Sequence, residues 1–241
     1  MIIGGFEKLT LIDYPDHLAA IIFTQGCNFR CHFCYNPMLV WPRKGADEKN
    51  KKEKGSEMLS TQDLFLFLKE RFGRLEGVVI TGGEPTLHAD LPSFIKKIKK
   101  IGYLVKLDTN GTNPIMLEHL IKNKLVDYLA MDFKAPLEKY SQTVGVSVDC
   151  KNIQKSVKLI MNSGLPYEFR TTVVPGLLDK VDFKKMGELI KGADKWYLQN
   201  FKSDTDLVDP KYQAKLAYTS QDMKDFADIG KQYVKFCEVR S

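Results

Sequence analysis

No stretch of the chain approaches the roughly 20 consecutive apolar residues that a bilayer-spanning helix requires, so no membrane partner is expected. The opening Met1–Lys8 lacks a basic segment followed by an apolar core, so no secretory signal is read and the expected compartment is the cytoplasm. Internal repeats and low-complexity linkers are also missing, which argues against a solenoid or a tethered array. Charge of one sign is scarce too: 36 basic and 30 acidic side chains leave +6. That small excess suits an acidic protein partner. Without a long basic run interleaved with aromatics it gives no expectation of nucleic-acid binding. Cysteine is rare, with five in 241 residues, and the odd count argues against a disulfide framework.

What is present describes an ordinary globular chain, with 44% hydrophobic and 27% charged residues. One domain over residues 1–241 is expected, interrupted by a mixed-charge polar surface loop at about Arg43 to Glu57. Short apolar runs read as strands at 18–23, 78–81, 104–107, 128–131, 168–174 and 196–198. Runs this short and this apolar suit strands buried on both faces. Between them, helical patterns cover 64–71, 91–100, 152–162, 183–191 and 221–231. Ser60 to Asp63 resembles a capping box, and Asn113-Pro114 looks like a cap followed by proline at the first helical position. Alternation of this kind implies an α/β fold with a parallel sheet and right-handed crossovers. Pattern alone leaves an open sheet and a barrel equally open.

Three of the five cysteines, Cys27, Cys31 and Cys34, fall on one short loop directly after the first apolar strand, spaced C-x3-C-x2-C. Thiolates are soft ligands suited to iron–sulfur clusters, zinc and Cu(I). A cubane cluster usually takes four cysteines, so three would leave one iron open to bind a substrate. A zinc site with His32 as fourth ligand is an alternative, and with it a zinc-stabilised binding module without catalysis. Zinc sites usually pair two separated knuckles, however, and no second knuckle exists. A redox pair at Cys31 and Cys34 would leave Cys27 unexplained. Cys150 and Cys237 are single, distant and read as ordinary thiols.

The cysteine loop, followed after the next strand by Thr81-Gly82-Gly83-Glu84-Pro85, resembles the radical S-adenosylmethionine (SAM) superfamily. The resemblance implies a partial (β/α)6 TIM-like barrel and a [4Fe–4S] cluster on Cys27, Cys31 and Cys34. It also implies SAM chelated to the open iron and reductive cleavage to a 5′-deoxyadenosyl radical. Gly82, Gly83 and Glu84 would bind the methionyl amino group, and Phe33 would pack on adenine, with Tyr35 beside it. Leu107-Asp108-Thr109-Asn110-Gly111 and Met131-Asp132-Phe133-Lys134 narrow the likeness to the activases of glycyl-radical enzymes. In that group Asp108 and Asp132 would help hold a monovalent cation, with Thr109, Asn110 and Lys134 around SAM. The alternative at this rim is a salt bridge of Asp132 with Lys134 or Lys106. Arg170 would pair with the SAM carboxylate or ribose, or form a structural salt bridge.

Leu9-Thr10-Leu11-Ile12-Asp13-Tyr14-Pro15, with Ile22 to Cys31 and Glu168 to Thr172, is similar to the activating proteins of anaerobic ribonucleoside-triphosphate reductase. The implied partners are a glycyl-radical enzyme as protein substrate and flavodoxin or ferredoxin as electron donor. A small-molecule substrate is the alternative. Two positions depart from the pattern. Asp16 stands where glycine is common, and Phe201 where a relative has a SAM-contacting histidine, leaving Gln199 and Asn200 to replace it.

Overall fold

The computed structural model describes residues 1–41 and 60–240. The polar loop expected at Arg43 to Glu57 lies outside them. The described chain divides into two compact units. The first comprises residues 1–28, 38–108 and 120–127, and the second residues 29–37, 109–119 and 128–241.

In the first unit, strand β1 (Ile3–Thr10) runs antiparallel to β2 (Ala19–Thr24). Strands β3 (Gly77–Gly82) and β4 (Leu104–Thr109) then follow in parallel order. The inner strands are almost wholly apolar. Ala19, Ala20, Ile22, Val78, Val79 and Ile80 are inaccessible, as expected for strands covered on both faces. Among the described residues this part of the chain carries helices α1 (Pro37–Val40), α2 (Thr61–Arg71) and α3 (Leu91–Ile101). The Ser60 hydroxyl caps α2 by accepting from Asp63 N, as predicted. The Asp63 carboxylate returns to that same hydroxyl at 2.6 Å. The α3 helix stops at Gly102, whose φ of 115° is the left-handed conformation that ends helices.

The stretch between β4 and the next strand carries α4 (Pro114–Lys122), with Asn113 Oδ1 accepting from Met116 N as the Asn-Pro signal implied. In the second unit, strands β5 (Tyr128–Asp132), β6 (Tyr167–Val173), β7 (Lys195–Asn200) and β8 (Phe236–Arg240) are all parallel. Helices α5 (Tyr140–Val144), α6 (Cys150–Met161), α7 (Lys180–Leu189) and α8 (Ser220–Gly230) cross between them. Phe183, Trp196 and Phe226 form an apolar layer, with the Phe183 ring stacked on Trp196 at 5.2 Å and tilted against Phe226 at 4.6 Å between centroids.

Several helices start earlier than the apolar periodicity predicts. The α6 helix opens at Cys150 because Asp149 accepts from Lys151 N. The α7 helix opens at Lys180 because Asp179 and Asp182 form a reciprocal capping box. Capping is set by polar residues outside the apolar stripe, so periodicity underestimates the first turn. Strands β1 and β8 were not anticipated. Among the described residues no helix is long and apolar enough to cross a membrane.

Candidate active site

The cysteine loop and the glycine turn are brought together by main-chain bonds. Strands β2 and β3 run in register with Thr24 opposite Gly82. Beyond that pair, Gly83 N donates to Thr24 O at 2.9 Å and Glu84 N donates to Gly26 O at 2.8 Å. Gly26 N and Cys27 N donate in turn to Leu39 O and Val40 O. Both glycines are required by space. A Cβ on Gly83 would lie 2.0 Å from Gly26 O, and one on Gly82 2.4 Å from Thr24 N, with φ at 109° as well.

Glu84 is fully buried and turned into its own turn, where Oε1 accepts from Thr86 N at 3.1 Å and also from the Thr86 hydroxyl. That carboxylate therefore shapes the turn. Asp108 is buried at the end of β4, 3.6 Å from the equally buried Lys106 ammonium, which also donates to Asp13 O. Thr109 Oγ1 accepts from Gly111 N at 3.1 Å. Asn110 Oδ1 accepts from Thr112 N at 3.0 Å, so both side chains form the turn that leaves β4.

In the second unit, Asp132 is the hub of a charged cluster. Its Oδ1 accepts from Arg170 Nε at 3.0 Å and its Oδ2 from Lys134 Nζ at 3.3 Å. Register places Asp132 directly opposite Arg170 on the neighbouring strand. Burial alone would raise the Asp132 pKa, but Arg170 and then Lys134 outweigh it and bring it down to about 2. Burial likewise opposes the Lys134 charge. Asp132, Cys31, Tyr140 and Cys34 nevertheless hold its pKa above the ordinary lysine value. The Tyr35 hydroxyl is pushed up by burial, then by Asp132, with Arg170 opposing. Tyr35, Asp132, Lys134 and Arg170 thus share one electrostatic site, close to Cys31 and Cys34. Of the salt-bridge alternatives read from the sequence, Asp132 with Lys134 and a structural pairing of Arg170 are present, whereas the Lys106 pair with Asp108 was not among them.

Phe33 is buried. Gln199 sits half-buried on β7, in register with Thr172 and Arg240. Asn200 is committed elsewhere, its amide donating to Tyr218 O at 2.9 Å and its Oδ1 accepting from Phe201 N at 3.0 Å. None of the five cysteines is in a disulfide. Among the described residues no three His, Cys, Asp or Glu side chains are gathered around one point as a single metal ion requires; a four-iron cluster is a larger body and takes its thiolates farther apart.

Sequence reasoning missed two clusters. Glu168, fully buried on β6, accepts a forked pair from Arg240 at 3.0 and 3.1 Å and a third bond from the Tyr128 hydroxyl at 3.0 Å. His32 meets Asp209 and Tyr212 from the far end of the chain. The Asp209-Pro210 cap signal is visible in the sequence, but nothing there pairs it with His32.

A family model described as the Radical SAM superfamily matches residues 21–190, and the chain belongs to that superfamily. It is an enzyme of this type, and proteins named as glycyl-radical-enzyme activases are among its sequence relatives. A protein of Methanocaldococcus jannaschii with the provisional name glycyl-radical enzyme activating enzyme MJ1227 is 31% identical over 100% of this chain and 96% of its own. The pyruvate formate-lyase-activating enzyme of Streptococcus mutans is 28% identical over 79% of this chain and 72% of its own.

The crystal structure of Streptococcus suis SuiB bound to S-adenosylmethionine superposes with a TM-score of 0.65 at 15% identity. The match covers 92% of this chain, which spans about half (50%) of SuiB. That likeness concerns the fold, which is the partial TIM-like barrel expected from the motifs. Membership implies a [4Fe–4S] cluster and SAM. The residues present fit both groups. Three thiols lie on one short loop, the Gly82-Gly83 turn carries no side chain, and the half-buried Lys134 ammonium stands close enough to Cys31 and Cys34 for both to favour its charge.

Proposed function

We propose that this chain activates a glycyl-radical enzyme, with Cys27, Cys31 and Cys34 holding the [4Fe–4S] cluster and anaerobic ribonucleoside-triphosphate reductase as the partner. The observation that carries the site reading is the main-chain stitching of Thr24 and Gly26 to the Gly83–Glu84 turn, which fastens the start of the cysteine loop. Likeness to MJ1227 along the whole chain supports the activase class. When bound, the cluster on Cys27, Cys31 and Cys34 would supply the electron for reductive cleavage of SAM, which provides the hydrogen-abstracting chemistry directed at a glycine Cα of the partner.

The chain's own residues bind and orient. Lys134 and Arg170 offer fixed positive charge for the SAM carboxylate, and Asp132 holds both cations in place. Phe33 supplies an apolar wall for adenine. Tyr35 and Gln199 offer polar contacts. The Gly82-Gly83-Glu84 turn receives the methionyl amino end, with Glu84 shaping it. Thr109 and Asn110 hold the turn behind Asp108. Asp108 and Asp132 are the carboxylates that a monovalent cation would use. No general acid or base is needed, and the electron comes from flavodoxin or ferredoxin.

The test is 5′-deoxyadenosine release after anaerobic iron–sulfur reconstitution with SAM and dithionite, set against Cys31→Ala. A purified candidate partner is then examined for a glycyl radical by electron paramagnetic resonance. Wild-type product that vanishes in the variant, followed by a radical on the partner, is the expected result. Bound zinc without sulfide would overturn the radical chemistry. Product without a radical on any glycyl-radical enzyme would turn the reading to a small-molecule substrate.

A further inference from the structure

The connection from β7 to α8 runs from Phe201 to Thr219 and is far longer than the usual two to six residues of a strand-to-helix loop. Long loops of this kind ordinarily have a task, and this one lies against the cysteine loop. Val208 N donates to Cys34 O at 3.0 Å and Asp209 N donates to His32 O at 3.1 Å. Two carbonyls of the Cys31–Cys34 turn are therefore fixed by one short segment. The turn adds its own bond, Cys34 N to Cys31 O at 3.0 Å.

Side chains reinforce this attachment. Asp209 uses both oxygens: Oδ1 accepts from Lys211 N at 3.0 Å, capping the single helical turn Pro210–Tyr212, and Oδ2 lies 3.2 Å from His32 Nδ1. The His32 ring stacks on Tyr212 with centroids 5.4 Å apart and planes within 6°. Tyr212 is held from elsewhere by the Lys215 ammonium, 3.9 Å from its ring centre, and by the edge of Phe201 at 6.5 Å. Leu207 is buried and anchors the approach.

We propose that Leu207–Tyr212 is a clasp that sets the shape of the Cys31–Cys34 turn, with Asp209 and Tyr212 as positioning residues for the iron–sulfur cluster. The inference rests on Cys31 and Cys34 being cluster ligands. Groups behind the ligands orient them, and hydrogen bonding and solvent access around a cluster tune its electronic properties. The clasp supplies all three: bonds to the ligand-bearing main chain, a carboxylate–imidazole contact between the ligands, and an aromatic cover over His32.

The experiment compares wild type with Asp209→Ala, Tyr212→Leu, Tyr212→Phe and the exposed control Asp206→Ala, all anaerobically reconstituted. Iron loss to a chelator and the resonance spectrum of the reduced cluster are recorded. Asp209→Ala and Tyr212→Leu are expected to lose iron at least fivefold faster and to give shifted or broadened g-values. Tyr212→Phe, which keeps the stacked ring, and Asp206→Ala should match wild type. Iron loss and spectra indistinguishable from wild type in both disruptive variants would overturn the clasp. Cys31→Ala run in parallel separates the two levels, because a full cluster in that variant would overturn the ligand assignment itself. Should the disruptive variants fail to fold, amide exchange in the wild-type apoprotein decides: protection of Val208 and Asp209 supports the clasp, and exchange at unstructured-peptide rates overturns it.

Discussion

Asp132 and Arg170 face one another across parallel strands β5 and β6, with the carboxylate Oδ1 accepting from the guanidinium Nε at 3.0 Å. The contact is monodentate, and the second carboxylate oxygen is taken by Lys134. The Lys134 ammonium gives Asp132 one bond, and an ammonium carries three donors.

Replacing Arg170 with Met should weaken SAM binding at least tenfold and cost about 1–3 kcal/mol of stability, since Asp132 keeps only its lysine partner. Equilibrium dialysis and urea unfolding check the two parts. The pH dependence has a definite sign. The folded-state pKa of Asp132, about 2, lies below its ordinary value, so its contribution to stability is present above about pH 4 and fades as pH falls toward 2. Arg170→Met removes most of that contribution, so the stability gap between variant and wild type, measured by urea unfolding at several pH values, should be widest above about pH 4 and narrow as pH falls toward 2.

Gly83→Ala should be among the most damaging single-methyl substitutions in the first unit. Its Cβ would meet a main-chain carbonyl at 2.0 Å, and backbone cannot swing aside as a side chain can. A loss of about 1–3 kcal/mol is expected from the overpacking, with SAM cleavage reduced at least tenfold. An unchanged melting temperature would refute the contact.

Arg240→Ala should cost about 3–5 kcal/mol, because it strips a fully buried carboxylate of its forked partner. Arg240→Lys should recover only part of this, as an ammonium does not reproduce the fork. Tyr197, whose ring lies 3.6 Å from the guanidinium carbon, should report the change by fluorescence.

Cys150 and Cys237 should be dispensable for the cluster. Burial pushes the Cys237 thiol up to about 12, so at pH 8 it should resist iodoacetamide in the folded protein. The Cys150 thiol is also raised by burial, and it donates to Leu137 O. Alanine at either position should leave iron and sulfide content at the wild-type level. Loss of iron in either variant would return these thiols to the list of ligands.

Strands β2, β3 and β5 were legible because both of their faces are covered, which leaves nearly unbroken apolar runs; β4, β6 and β7 were still readable although Lys106, Glu168, Arg170 and Gln199 interrupt them. Strand β1 was not, because Gly4 and Gly5 and a charged Glu7-Lys8 pair break its pattern, and its partner bonds carry two register shifts. Strand β8 mixes Cys237 with Glu238 and Arg240, and the reason lies at Glu168, 72 residues earlier, which no local window contains. Within the site, β5 ends at Asp132 and Lys134 lies two residues beyond it, so strand alternation is not what joins them, although the two side chains do meet at 3.3 Å. The role of Glu84 was harder to read, since a carboxylate spent on its own turn looks the same in sequence as one offered to a ligand. The pairing of His32 with Asp209 depends wholly on folding.

The stitching between Thr24, Gly26, Gly83 and Glu84 uses only peptide N–H and C=O groups. Such an anchor tolerates drift. Residues in and around it can be exchanged over evolutionary time without altering the atoms that fasten the loop, provided nothing grows at the two glycines. Selection would then act on the absence of a side chain at Gly82 and Gly83 and stay comparatively blind to the identity of residues nearby. A chain of this kind can diverge widely in sequence while the entrance to its cysteine loop stays fixed.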